Sequence, residues 1–367
     1  MTLSTFMQQA RCIVPTGATE TRYAETPQYA EGLYDLGQNL YAWLAPNGSW
    51  GESNAGLIIG DGESLLVDTL WDVPYTRTML KAMESIPGAM PLTYVVNTHA
   101  DGDHFWGNEL VTSADIITSQ ASLDEMMTTR PASLLLLGKV GRALSALRLF
   151  QADKVGHWFQ GMVKPYDFSS ITHTPARRTF TGELTITVGG RRVDLIEVGP
   201  AHTQGDLMVH VPDAKTLYAA DIVFIGSTPV QWAGPIENYL AALKRILALD
   251  VDVIVPGHGP LTDKDGVRTV QSYWEFMYTR LRQSFDAGLS APAAARAAVL
   301  NDDFARQPFA TWNSPERIMV SAHTQYRHWR GEHRHPKVPE LLNILRLQAL
   351  LAHDLPNAQP AIMRKRD

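Results

Sequence analysis

Four short stretches of this 367-residue chain carry side chains that could do metal chemistry. The densest is Thr98-His99-Ala100-Asp101-Gly102-Asp103-His104, which puts four metal-binding side chains within six residues. Two carboxylates held that close repel each other, and a cation is the usual remedy. Gly102 gives such a loop the backbone freedom to fold its ligands onto one point. The second stretch is Gly199-Pro200-Ala201-His202-Thr203-Gln204-Gly205-Asp206, with His202 as a third imidazole. The third, Leu217-Tyr218-Ala219-Ala220-Asp221, is an apolar run ending in a carboxylate. The fourth, Val253-Ile254-Val255-Pro256-Gly257-His258-Gly259-Pro260, holds a histidine between two glycines. Singly, each has a plain reading as an acidic turn, a capping histidine or a turn aspartate. Jointly they point to a metal site.

The elements that must position them read as alternating strands and helices. Leu40–Leu44, Leu57–Ile59, Leu65–Val67 and Thr93–Asn97 are short apolar strands, with a hairpin turn at Gly60-Asp61-Gly62. Tyr75–Ile86 has helical spacing. Leu184–Val188, Arg192–Val198, Leu207–Val211, Thr216–Ala219 and Val253–Val255 read as a second set of strands, with a helix at Ile236–Leu249. The four stretches therefore all lie at predicted strand ends. In layered α/β folds such ends share one rim, where residues distant in sequence converge.

The organisation expected is an N-terminal arm at 1–32, an α/β domain at 33–262 and a helical extension at 263–367. The α/β domain carries a helical insertion near 129–170, with Leu134–Phe150 as its helix. The extension is read as helices at Gly266–Phe285, Pro292–Leu300, Pro315–Arg330 and Pro339–Leu351. Pro356–Asp367 is polar and expected to fray. With 45% apolar and 19% charged residues the chain can bury a core, and disorder as its main state is excluded. A single cysteine, Cys12, excludes an internal disulfide and a thiolate-rich metal site. A net charge of −6 argues against nucleic-acid binding, and Arg364-Lys365-Arg366 is too short a basic run to change that. No apolar run reaches the ~20 residues of a membrane helix, and Met1–Ala10 lacks the pattern of a signal peptide. A cytoplasmic protein without membrane contact is expected.

The series of motifs resembles the metallo-β-lactamase superfamily over roughly residues 33–262. That resemblance implies an αββα sandwich with a dinuclear metal site between its sheets. It places His99, Asp101 and His202 on one metal, Asp103, His104 and His258 on the other, and Asp221 between them. Asp68, after Leu65–Val67, matches a position read as supporting the metal loop. The chain departs from the family pattern at Asp101, where a histidine is expected. The extra carboxylate moves the donor set from zinc toward iron or manganese. Relatives with a carboxylate here include flavodiiron proteins and the diiron hydroxylases of antibiotic pathways.

Two mechanisms follow from that departure. In the one expected here, two iron ions use O₂ and an external electron donor to hydroxylate a hydrophobic organic substrate in specialised metabolism. In the other, a zinc-type hydrolase uses hydroxide to open an ester, lactone, thioester, sulfate or phosphate bond. Asp101 and Asp103 are the candidate catalytic carboxylates. A metal-stabilised binding protein without catalysis is a third reading, and seven positions able to ligate weigh against it.

Trp106 reads as core packing, Trp232 as a residue near the cleft, and Trp158 and Phe159 as either a lid or helix packing. His323 and His328 lack one-face helical spacing, and His333 and His335 read as loop residues. The apolar stripe Tyr273, Phe276, Met277 and Leu281 suits core packing or a homodimer interface. Elemental analysis of the purified protein should find about two metal ions per chain. Metal-free protein whose activity ignores chelators would remove the metal reading.

Overall fold

The fold comes from a computed structural model, which describes residues 5–147, 151–334 and 336–359. Its first sheet follows chain order: β1 (Arg11–Pro15), β2 (Gly32–Gly37), β3 (Leu40–Leu44), β4 (Ala55–Ile59), β5 (Ser64–Val67), β6 (Tyr94–Val96), β7 (Asp115–Ser119) and β8 (Arg178–Phe180). Neighbours are antiparallel as far as β5 and parallel from β5 to β8. The second sheet holds β9 (Glu183–Val188), β10 (Arg191–Glu197), β11 (Leu207–Val211), β12 (Thr216–Phe224) and β13 (Val253–His258). Only its β12–β13 pair is parallel.

Every residue of β4, β5, β11 and β12 is buried, so these strands are covered on both faces. Between the sheets, Leu40, Ala42, Ile58, Leu65 and Val67 pack with Val193, Leu195, Val209 and Val255. A separate core lies under the outer helices, where Tyr75 and Met79 of Val73–Met83 and Tyr239 and Leu243 of Ile236–Ala248 are buried. The helix expected at Tyr75–Ile86 runs instead over Val73–Met83, because Asp72 caps it by accepting from the Tyr75 N–H and Pro74 needs no amide partner in the first turn. The result is the expected αββα layering with a helical C-terminal region.

Tyr218 ties the two layers together. Its ring stands on β12 in the inter-sheet core, and its hydroxyl donates to the Tyr41 carbonyl on β3 at 3.0 Å. A Cβ on Gly56 of β4 would run into that ring.

Several elements differ from the sequence reading. The supposed arm contributes β1, which pairs with β2 and extends the sheet edge. Its five residues show no two-residue alternation that would have marked it. β12 continues past Ala219 to Phe224, and β13 continues past Val255 to His258, because Phe224 and His258 are themselves paired. The insertion is two helices, Pro131–Ser145 and Ala152–Val163, packed on one another. The far end of the expected Leu134–Phe150 helix lies outside the described residues. The C-terminal part holds Lys264–Asp286, Ala291–Val299, Ile318–Trp329 and Val338–Ala352, preceded at Pro315–Arg317 by a tight 3₁₀ turn. No helix among the described residues is long and apolar enough to cross a membrane.

Tyr218→Phe removes the hydroxyl bond between the sheets and should lower stability by about 1 kcal/mol. Tyr218→Ala empties the space as well and should cost ~3–5 kcal/mol. Chemical denaturation reads both values, and equal stability of wild type and Tyr218→Ala would contradict the role given to this ring.

Candidate metal centre

All seven residues marked by the sequence meet at one edge of the sandwich. Three ligand-type groups form there, and in each the ligating atoms lie within 4.8 Å of one another. One is His99, Asp101 and His202; another is Asp103, His104 and His258; the third joins His99 and His104 to Asp221. Asp221 sits in the middle. Its Oδ2 is 3.2 Å from His202 Nε2, 3.5 Å from His258 Nε2 and 3.8 Å from His99 Nε2, and its Oδ1 is 3.3 Å from His104 Nε2. Asp101 Oδ2 lies 3.1 Å from His202 Nε2, and Asp103 Oδ2 lies 3.4 Å from His258 Nε2.

Local sequence explains each placement. β6 delivers Asn97, Thr98 and His99 to the rim, and Asp101 leads into the short helix Gly102–Phe105. Gly102 keeps ordinary backbone angles there. It is small because a Cβ would strike the Trp106 indole, so close packing rather than the expected backbone freedom calls for glycine here. Asp68 holds a left-handed φ of 62° after β5. It accepts from Thr98 N and Thr98 Oγ1, both at 2.7 Å, and meets His104 Nδ1 at 2.8 Å. Thr98 Oγ1 in turn lies 3.0 Å from His99 Nδ1. These are the contacts expected of a residue supporting the loop.

The His202 loop is closed by Asp206, which accepts from the Ala201 and Thr203 amides and the Thr203 hydroxyl. Burial pushes the Asp206 carboxyl up to about 6 against those bonds. His202 Nδ1 faces the Val230 carbonyl at 2.7 Å. Asp221 is turned inward by irregular pairing of β12 with β13, beside Ala220 at φ 48°. His258 ends β13 with its ring stacked on Phe224, 5.0 Å between centroids and 2° from parallel.

Nδ1 of His99, His104 and His202 is therefore occupied by an outer partner, leaving Nε2 toward the cluster. This is the usual way a protein fixes metal-binding imidazoles. Nε2 of His99 and His104 and Oδ1 of Asp221 are buried without a hydrogen-bond partner. Orphaned acceptors facing one another are costly, and a cation between them would satisfy them. The four imidazoles and three carboxylates fit a pair of metal ions. Asp221 and Asp101 push His202 up to about 10 although burial opposes them, so protons compete with metal for this imidazole.

Several supporting residues gave no sequence signal. Asn54 Nδ2 donates to the carbonyls of Pro256 and Gly259, clipping the end of β13. Ser53 Oγ donates to the Asp103 carbonyl at 2.7 Å, and Asn97 Nδ2 to that of His104 at 3.0 Å. A Ser or Asn on a loop is too common to be marked without knowing what faces it.

A cavity of about 200 Å³ opens over the cluster. Trp50, Trp71, Trp106, Phe224 and Trp232 wall it, and Leu134, Leu137, Met162 and Leu345 form its roof. Trp106 is thus both packed and cavity-facing. Trp158 is buried, and its indole N–H donates to the Gln359 carbonyl at 2.8 Å. Neither it nor Phe159 lines the cavity, so both pack rather than form a lid. Among the cluster residues Asp101 is the open one, its side chain 36% exposed. His323, His328 and His333 take no part in the metal groups, and His335 lies outside the described residues.

A Cβ at Gly257 would collide with Asp221 Oδ1. Gly257→Ala should therefore displace that carboxylate and lower metal affinity ~10–100-fold. Metal titration of the folded variant reads the loss, and wild-type affinity would show that Asp221 does not need this position.

The sequence profile of the metallo-beta-lactamase superfamily matches residues 48–258. The 2,4-dinitroanisole O-demethylase subunit alpha of Nocardioides sp. (strain JS1661) is 28% identical over 208 residues, 55% of this chain and 51% of that one. A hydroxyacylglutathione hydrolase of Rhizobium meliloti (strain 1021) is 26% identical over 203 residues, 55% of this chain and 60% of its own length. The chain thus spans about half to three fifths of these curated relatives. The inverting sec-alkylsulfatase Pisa1 from Pseudomonas sp. superposes with a TM-score of 0.60 at 16% identity, covering 82% of this chain and 50% of that one. A metallo-beta-lactamase family protein from Thermus thermophilus gives 0.54 at 18% identity, covering 81% and 95%. At such identities the two likenesses are of fold alone.

Proposed function

This chain belongs to the metallo-beta-lactamase superfamily, and on that premise we propose that it is a dinuclear-metal enzyme that cleaves a C–O bond of a small, largely apolar substrate with water. His99, Asp101 and His202 would hold one metal and Asp103, His104 and His258 the other, with Asp221 placed between them. The observation that carries this reading is the opening of the cluster, through Asp101, into an aromatic-walled cavity of about 200 Å³. A dry apolar cavity of ~150 Å³ accepts a benzene ring, so this one suits a single substituted ring or a branched alkyl group. Among the relatives, one is named an O-demethylase, a C–O bond-breaking activity, and one a hydrolase.

When bound, the metal pair supplies Lewis acidity and makes water nucleophilic near neutral pH. The chain's own residues do the rest. Asp101 at the cavity floor and Asp103 beside His258 accept hydrogen bonds from the attacking water and orient it. Asp103 takes its proton, so a histidine can stand in for Asp101 in the water reaction. Asp68, Thr98 and the Val230 carbonyl keep the imidazoles from turning, and the tryptophans exclude bulk water. A helical extension beginning at 262/263, a cytoplasmic location and homodimer formation belong to the same proposal.

Asp101 favours a second reading. Each half of the cluster then offers two imidazoles and one carboxylate, a donor set also suited to Fe(II) and O₂ chemistry. Iron, with zinc or manganese as alternatives, an external electron donor and a hydroxylated organic product go with that reading.

Isotope labelling separates the two on an aryl methyl ether probe, 2,4-dinitroanisole, with protein loaded anaerobically with Zn(II) or Fe(II). Cleavage by water should place ¹⁸O from labelled water in the phenol or the methanol and proceed without air. Formaldehyde formed only with O₂ and a reductant would instead establish the iron reading. Asp101→His should leave water-driven cleavage within ~10-fold of wild type and should abolish the O₂-dependent reaction.

A further inference from the structure

Arg317 is 2% exposed, yet it lines the same cavity as Asp101, Asp103 and His258. It arrives from the C-terminal part, just after Ser314 turns the chain at φ 62°. Its guanidinium lies 4.5 Å from the Trp50 ring centroid and 5.8 Å from that of Phe224, both cavity walls. Nη1 donates to Ser227 Oγ at 3.1 Å and to the Thr228 carbonyl at 2.9 Å. Nε is buried with no partner, and Arg317 forms no ion pair among the described residues.

A guanidinium keeps its charge in proteins, and burying it without a counterion is unfavourable. The carboxylates that act on its charge are Glu316, Asp221 and Asp103. Glu316 also accepts the Gln359 amide N–H at Oε1. The two aspartates would be more than balanced by a pair of divalent metals. In a loaded site Glu316 would remain the main negative influence on Arg317, and the planar guanidinium that lines the cavity matches a two-oxygen anion.

We infer that Arg317 anchors an oxyanion on the substrate, so that the cavity takes a small aromatic or alkyl molecule bearing a carboxylate-, sulfonate- or sulfate-like group. This rests on the metal-site reading above and narrows it. The anionic end lies between the guanidinium and the metal cluster, and the apolar end lies against Leu134, Leu137 and the tryptophans.

Calorimetry on metal-loaded protein with benzenesulfonate and neutral benzyl alcohol tests this. Wild type should prefer the sulfonate ~10–100-fold, the range expected for a charge-assisted hydrogen-bond pair. Arg317→Met should bring that ratio to about one while keeping its metals and its benzyl alcohol affinity. Arg317→Lys, which keeps the charge and loses the fork, should retain part of the preference. No preference in wild type, or an undiminished one in Arg317→Met, would overturn the inference, the latter by assigning it to the metals alone. Should Arg317→Met not fold, an undiminished preference in Arg317→Lys overturns the two-oxygen fit. Metal content and cleavage of the neutral ether are read on wild type, and their absence there would sink the function instead.

Discussion

Asp221 is 4% exposed, has four imidazole nitrogens within 3.8 Å of its carboxylate, and carries one oxygen that accepts no hydrogen bond. A carboxylate so buried is tolerable only where positive charge answers it. Much of the surrounding fold serves that condition. β12 breaks its pairing with β13 at this point, Ala220 adopts a left-handed backbone, and Gly257 gives way to the carboxylate. The first sheet sends His99 and His104 from beyond β6, and the second sends His202 and His258 from beyond β10 and from the end of β13. Neither sheet alone could answer the charge, so the sandwich and the site are one construction.

The rim of ligands was legible because metal chemistry is written locally. His99, Asp101, Asp103 and His104 fall in one loop, and the strand before them is apolar enough to read. The layer order was legible for a similar reason, since strand–turn–helix alternation shows in short windows. What could not be read depends on packing across the chain. Asp221 looked like a strand end, but it lies inside β12, because pairing of Phe224 with His258 carries the strand onward. Trp158 and Phe159 carried aromatic bulk without revealing its direction. Arg317 follows a Ser-Pro-Glu segment with no pattern, and only its stack on Trp50 reveals its place. β1 was hidden because an edge strand with half-buried faces shows no alternation.

The cavity joins parts with different origins in the chain. Its floor is the metal rim, fixed by the pairing of both sheets. Its roof comes from the inserted helices, through Leu134, Leu137 and Met162, and from the last helix, through Leu345. None of these four touches the hydrogen bonds that hold the ligands. Floor and roof are therefore held by separate contacts, so a change in one need not disturb the other. Exchange of a roof leucine alters which molecules fit while leaving the reacting centre as inherited.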